Sequence, residues 1–250
     1  MTPQIPAYLT AFEFAVRPVA AAVALGLIWT GALRMAGPAS SRYTTAGVLS
    51  VILIGWLAIA QYLGSANVYF ATGDAGVPTL LLGLAIPLMA AAAGLRLSGA
   101  IASLVAAIPL PWIVAAQFYR VEGGIFLVLW ADGRLPWQFA LPAGIGDVAT
   151  GLLAVVAAAR LARNADGARG AVYAWCLFGI ADLVVALMMG ALTSPGPPHL
   201  LAFEAPNLLI TSWPLVMVPT FAVPLALMLH GIVLWRLRRE TASNRRLAAA

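Results

Sequence analysis

The chain has no lysine: all 14 of its basic residues are arginine. A retinal Schiff base, which needs a lysine amine, is therefore excluded. One cysteine, Cys176, allows no internal disulfide, no CxxC pair and no thiolate cage. Only two histidines are present, His199 and His230, so there is no paired-histidine motif. HExxH and an ordered Ser/His/Asp set are also missing, and the expectation is that the chain is not an enzyme. Charge of either sign is scarce, at 9% of residues against 62% hydrophobic, with a mean hydropathy of +0.95. A 250-residue chain of that composition is not a soluble domain. A net charge of +5 would point to nucleic acid only if the arginines clustered on one surface. They fall instead in loops and the tail, as membrane topology requires, so a nucleic-acid partner is not expected.

What is present is a series of apolar runs of bilayer length. The expected fold is all-α, with seven transmembrane helices at Phe14–Met35, Thr44–Leu63, Val77–Leu95, Leu110–Ala131, Trp137–Ala159, Gly170–Leu192 and Asn207–Trp235. Met1 to Phe14 carries Glu13 and no basic cluster, so the first run reads as a retained helix rather than a signal peptide. Residues 96–109 are apolar but short and interrupted by Pro109 and Pro111; they read as an interfacial helix leading into the fourth run. Residues 236–250 read as a cytoplasmic Arg-rich tail.

The arginines support this count. Seven crossings put Arg34, Arg42, Arg96, Arg160, Arg163, Arg169, Arg236, Arg238, Arg239, Arg245 and Arg246 on one side. Only Arg17 and Arg134 fall on the other, and Arg120 lies inside the fourth run. The N-terminus is then outside and the C-terminus cytoplasmic. The seventh run is long and carries Pro214, Pro219 and Pro224, which predicts a kink whose freed carbonyls need partners from neighbours or water.

Against that background the buried charges stand out. Arg120, Glu122, Asp147 and Asp182 fall within apolar runs. Each costs about 2.5–3.5 kcal/mol near the middle of a membrane segment, so a functional polar site is the default explanation. Arg120, Asp147 and Asp182 each lie ten to twelve residues into three consecutive antiparallel runs, about 15–18 Å along at 1.5 Å per residue. The three therefore share one depth. On an α-helix Gln117, Arg120 and Gly124 form one face, with Glu122 roughly 200° away beside Tyr119 and Phe118. The expected site is Arg120 bridging Asp147 and Asp182, with Gln117 and Tyr119 completing the hydrogen bonds and Glu122 addressing a different neighbour. One arginine facing three carboxylates leaves an excess of negative charge that a proton or cation would balance. The architectural alternative is that buried Arg–Asp pairs only fix which helices pack together.

Other signals are weaker. His230 is a candidate axial haem ligand, with Met188, Met189, Met217 or Met228 offering a thioether; otherwise it is an interfacial histidine. The loop containing His199, Glu204 and Asn207 either lines an outer vestibule or serves as a rigid connector, with Asn207 capping the seventh run. Gly144-Ile145-Gly146-Asp147 is not a nucleotide loop, because it lacks strand–turn–helix context.

The runs Gln117-Phe118-Tyr119-Arg120-Val121-Glu122-Gly123-Gly124, Leu141-Pro142-Ala143-Gly144-Ile145-Gly146-Asp147 and Gly179-Ile180-Ala181-Asp182 resemble those of an uncharacterised family of bacterial seven-helix inner-membrane proteins. The resemblance covers the C-terminal half and implies a bacterial cytoplasmic membrane, without an activity to transfer. The functional expectation is a proton- or cation-coupled transporter of a small solute, with the lipid bilayer as its surroundings. The alternatives are a haem- or quinone-binding redox subunit, or a non-enzymatic sensor or assembly protein. No bound cofactor is required by the leading reading.

Overall fold

A computed structural model describes residues 3–70, 76–197 and 199–248. The described residues are helical with no strand. Among the described residues, seven helical runs are long and apolar enough to cross a membrane. Large apolar side chains such as Leu33, Val51, Leu81, Leu152 and Val156 cover the outside of the bundle.

Helix α1 spans Ala7–Arg34 and starts after Pro6. It therefore begins seven residues before the expected Phe14, which brings Glu13 into it and moves Arg17 from its first turn to its interior. Helix α2 is Ala39–Ser65 and α3 is Gly76–Leu97. The stretch read as interfacial contains α4, Gly99–Ala107, whose N-cap Ser98 accepts from the Ile101 amide at 3.3 Å. Nine residues rise about 13 Å, too short for a crossing. Its Leu104 is fully buried against Gly31 of α1, so this helix is packed into one end of the bundle.

The fourth apolar run is not one α-helix. It is α5, Leu110–Ala116, then a 3₁₀ segment, Gln117–Gly123, then α6, Gly124–Ala131. Helices α7, Trp137–Ala162, and α8, Ala168–Thr193, pack against each other and close on the 3₁₀ segment.

The seventh run also differs from the expected single helix from Asn207. It contains a 3₁₀ turn, Leu209–Thr211, a buried irregular stretch, a π-helical turn, Val218–Ala222, and then α9, Val223–Ala248. The prolines account for the break. Pro219 offers Leu215 no N–H, and the Val218 amide bonds that carbonyl at 3.0 Å instead. Pro224 likewise offers none to the Thr220 carbonyl, which accepts from Trp56 Nε1 at 3.1 Å. These are the neighbour partners that interrupted apolar helices require.

The Arg-rich tail is not separate from the bundle. Helix α9 continues through it, and Arg236 Nη1 donates to the Val105 and Ile108 carbonyls at 3.2 and 2.8 Å, tying down the end of α4. Two charge-assisted bonds to partly buried carbonyls predict that Arg236→Ala lowers stability by about 1–3 kcal/mol in detergent. Thermal unfolding of the variant checks this.

Candidate functional site

The 3₁₀ segment sets the geometry. Residues three apart eclipse in a 3₁₀ helix, so Gln117, Arg120 and Gly123 stack on one buried face. The face expected from α-helical spacing had Gly124 in place of Gly123. Gly123 lies against Asp147, and a Cβ there would overlap its side chain. Gly146 has the same role on α7, where a Cβ would overlap the Asp182 carboxylate. A Cβ at Gly179 would come within 2.5 Å of His230 Nε2. Backbones without side chains at these three points let the charged groups meet.

Arg120 is 2% exposed, and each of its N–H groups has a partner. Nε and Nη2 donate to Asp147 Oδ1 at 2.8 and 2.6 Å. Nη2 also donates to Asp182 Oδ2. Nη1 donates to the Gly179 carbonyl at 3.2 Å and faces His230 Nε2 at 3.2 Å. An arginine can only donate, so Nε2 accepts and the imidazole proton sits on Nδ1. Nδ1 is 3.3 Å from Cys176 Sγ, whose thiol reaches the His230 carbonyl at 3.4 Å. Sequence reasoning placed His230 either at an interface or on a haem. It is fully buried, which overturns the interfacial placement, and it is stacked 4.8 Å from Trp175 with a protein partner at each ring nitrogen.

Gln117 and Tyr119 do not complete the Arg120 cluster. Gln117 Nε2 donates to the Ala226 carbonyl at 2.9 Å, and the Tyr119 hydroxyl to the Ala222 carbonyl at 2.8 Å. They fasten the 3₁₀ segment to the π turn and α9.

Glu122 does address a different neighbour, and that neighbour escaped sequence reasoning. Arg17 of α1 lies 2.7 Å from Glu122 Oε1, and its Nε donates to Glu13 Oε2 at 2.7 Å. All three side chains are buried. The available signal was the i, i+4 spacing of Glu13 and Arg17, which belongs to a helix interior once α1 starts at Ala7. Arg17 Nη1 and Glu122 Oε2 are buried without a hydrogen-bond partner among the described residues. Both residues line a cavity of about 10 Å³ shared with Tyr119, Arg120 and Asp147. That is about the room one water molecule needs, and water can accept from Arg17 and donate to Glu122.

The remaining expected site residues lie elsewhere. Asn207 is fully buried and does not line a vestibule. Its Oδ1 accepts from the Ile210 amide at 3.3 Å, capping the first 3₁₀ turn, and its backbone N–H donates to the Thr193 carbonyl at 2.8 Å. Glu204 is exposed, and His199 stacks on Phe203 at 4.8 Å. The geometry at Asn207 is that of a connector. No group of three metal-ligating side chains is found among the described residues.

Residues 77–238 match the model of a family described as a domain of unknown function, DUF8737. The chain belongs to this family. The match includes Arg120, Glu122, Asp147, Asp182 and His230, while Glu13 and Arg17 lie N-terminal to it. No curated protein and no solved structure matches the chain.

Two outcomes follow from this packing. Arg17→Ala strands two buried carboxylates and should cost about 3–5 kcal/mol, whereas Arg17→Ala with Glu13→Gln and Glu122→Gln should recover most of it. Thermal unfolding in detergent compares them. Gly146→Val should separate α7 from α8 and lower stability by about 1–3 kcal/mol, read from the same melts.

Proposed function

We propose that this is a multi-pass protein of a bacterial cytoplasmic membrane that moves a small solute coupled to protons or another cation, with Asp147 as the exchanging carboxylate. Seven helices of sufficient length, a lipid-compatible exterior and the family resemblance support the location. The arginine distribution supports an outside N-terminus. With Arg17 in the interior, only Arg134 remains in the loops opposite the arginine-rich end, so the asymmetry is sharper than a loop count that includes Arg17.

One observation carries the functional reading. Asp147 has the most exposed side chain of the cluster, 13% against 2% for Arg120 and 6% for Asp182. Its Oδ1 takes both Arg120 bonds, while Oδ2 accepts none among the described residues. A carboxylate held in place through one oxygen and open at the other is positioned to take up and release a proton. Asp182 competes with it for the same guanidinium, so protonation of Asp147 leaves Arg120 paired rather than stranded. The π turn, which contains Pro219 and is followed by Pro224, supplies a place where the cavity wall can move, as such turns do at functional sites.

The architectural reading keeps one supporting fact, the complete pairing of Arg120. A flux assay separates the two. In proteoliposomes carrying a pH gradient, wild-type protein should show proton movement that Asp147→Asn abolishes, with an unchanged elution profile and melting temperature. Flux retained in a folded Asp147→Asn protein would leave the cluster as architecture.

A further inference from the structure

A second cavity, of about 80 Å³, meets the first at Asp147. Phe126, Asp147, Leu183, Val218 and Val223 line both. From Asp147 the second cavity runs along α7 to Phe139, eight residues or about 12 Å. Leu84 of α3 and Ala186 of α8 form its apolar walls, and Ser194 and Thr211 stand at the far end. Asp147 is its single ionisable lining residue. It is an apolar slot with a single carboxylate.

The chemistry of the inner end selects the ligand. Every Arg120 N–H is already engaged, so no donor of that guanidinium remains for an anionic head. The two joined ion networks hold four carboxylates, Glu13, Glu122, Asp147 and Asp182, against two guanidiniums, Arg17 and Arg120. The one ionisable group the cavity meets is the Asp147 carboxylate, whose Oδ2 accepts no hydrogen bond among the described residues. We infer that the cavity binds a small lipophilic amine, its alkyl part between α3 and α8 and its ammonium on Asp147 Oδ2. This names a substrate class for the transport site and rests on Asp147 being accessible, as that reading requires. An ammonium there competes with a proton for the same oxygen, which couples the two cations without a second site.

The test uses full-length protein in lipid nanodiscs, titrated calorimetrically with hexylammonium chloride and with 1-hexanol, against empty nanodiscs. Hexylammonium should bind saturably and at least tenfold more tightly than hexanol. Asp147→Asn should erase that preference. Ala186→Phe fills the slot away from the ion pairs and should weaken hexylammonium binding at least tenfold, which keeps the test decisive if Asp147→Asn does not fold. Equal affinities for the amine and the alcohol would overturn the inference, as would undiminished binding in Ala186→Phe or no saturable binding at all. Because no flux is measured, failure here is distinguishable from failure of proton coupling.

Discussion

The arrangement of the bundle depends on satisfying one guanidinium. Arg120 is 2% exposed, and an unpaired charge there would cost several kcal/mol. The chain meets this by bringing four partners from three helices to it: Asp147 from α7, Asp182 and the Gly179 carbonyl from α8, and His230 from α9. Each partner constrains the helix that carries it. The contacts of α7, α8 and α9 in the middle of the bundle are thus set by a planar fork with five fixed donor directions, a more exacting constraint than apolar packing.

The backbone yields where the side chains cannot. Aiming Arg120 between α7 and α8 while turning Tyr119 and Glu122 toward α1 and α9 needs a three-residue repeat, and the fourth apolar run supplies it by tightening to 3₁₀ over Gln117–Gly123. The π turn at Val218–Ala222 is the opposite deviation on the facing segment, where the Tyr119 hydroxyl bonds the Ala222 carbonyl. One segment overwinds and the other underwinds across the same level. Both departures from α-helix lie beside the ion networks, where polar partners can compensate the altered ladder.

The apolar runs announce the helices, because a bilayer-length stretch is a coarse signal that survives errors of several residues. The shared depth of Arg120, Asp147 and Asp182 is legible for a similar reason: rise per residue in three antiparallel runs converts position to height. Direction was less legible. An α-helical wheel puts Gly124 beside Arg120, whereas the 3₁₀ repeat puts Gly123 there, and nothing local in the run marks the change of winding. Arg17 was hidden by a boundary: starting the first helix at Phe14 put it in the first turn at the outer end, and the added turns from Ala7 make it an interior one. His230 could not be placed from spacing alone, since its partners, Arg120 and Cys176, are 110 and 54 residues away.

The proposed function rests on the charge balance within this architecture. Four buried carboxylates share two guanidiniums. Here Arg120 is saturated while Asp147 keeps a free oxygen, and Arg17 and Glu122 each leave an atom unpaired on a cavity with room for one water. Arg17, Glu122 and Asp147 line one small cavity, and Asp147 also lines the larger apolar one beside it. Architecture alone explains why Arg120 is fully paired. It does not require Asp147 to lie where two cavities join, the location that the proposed transport would use.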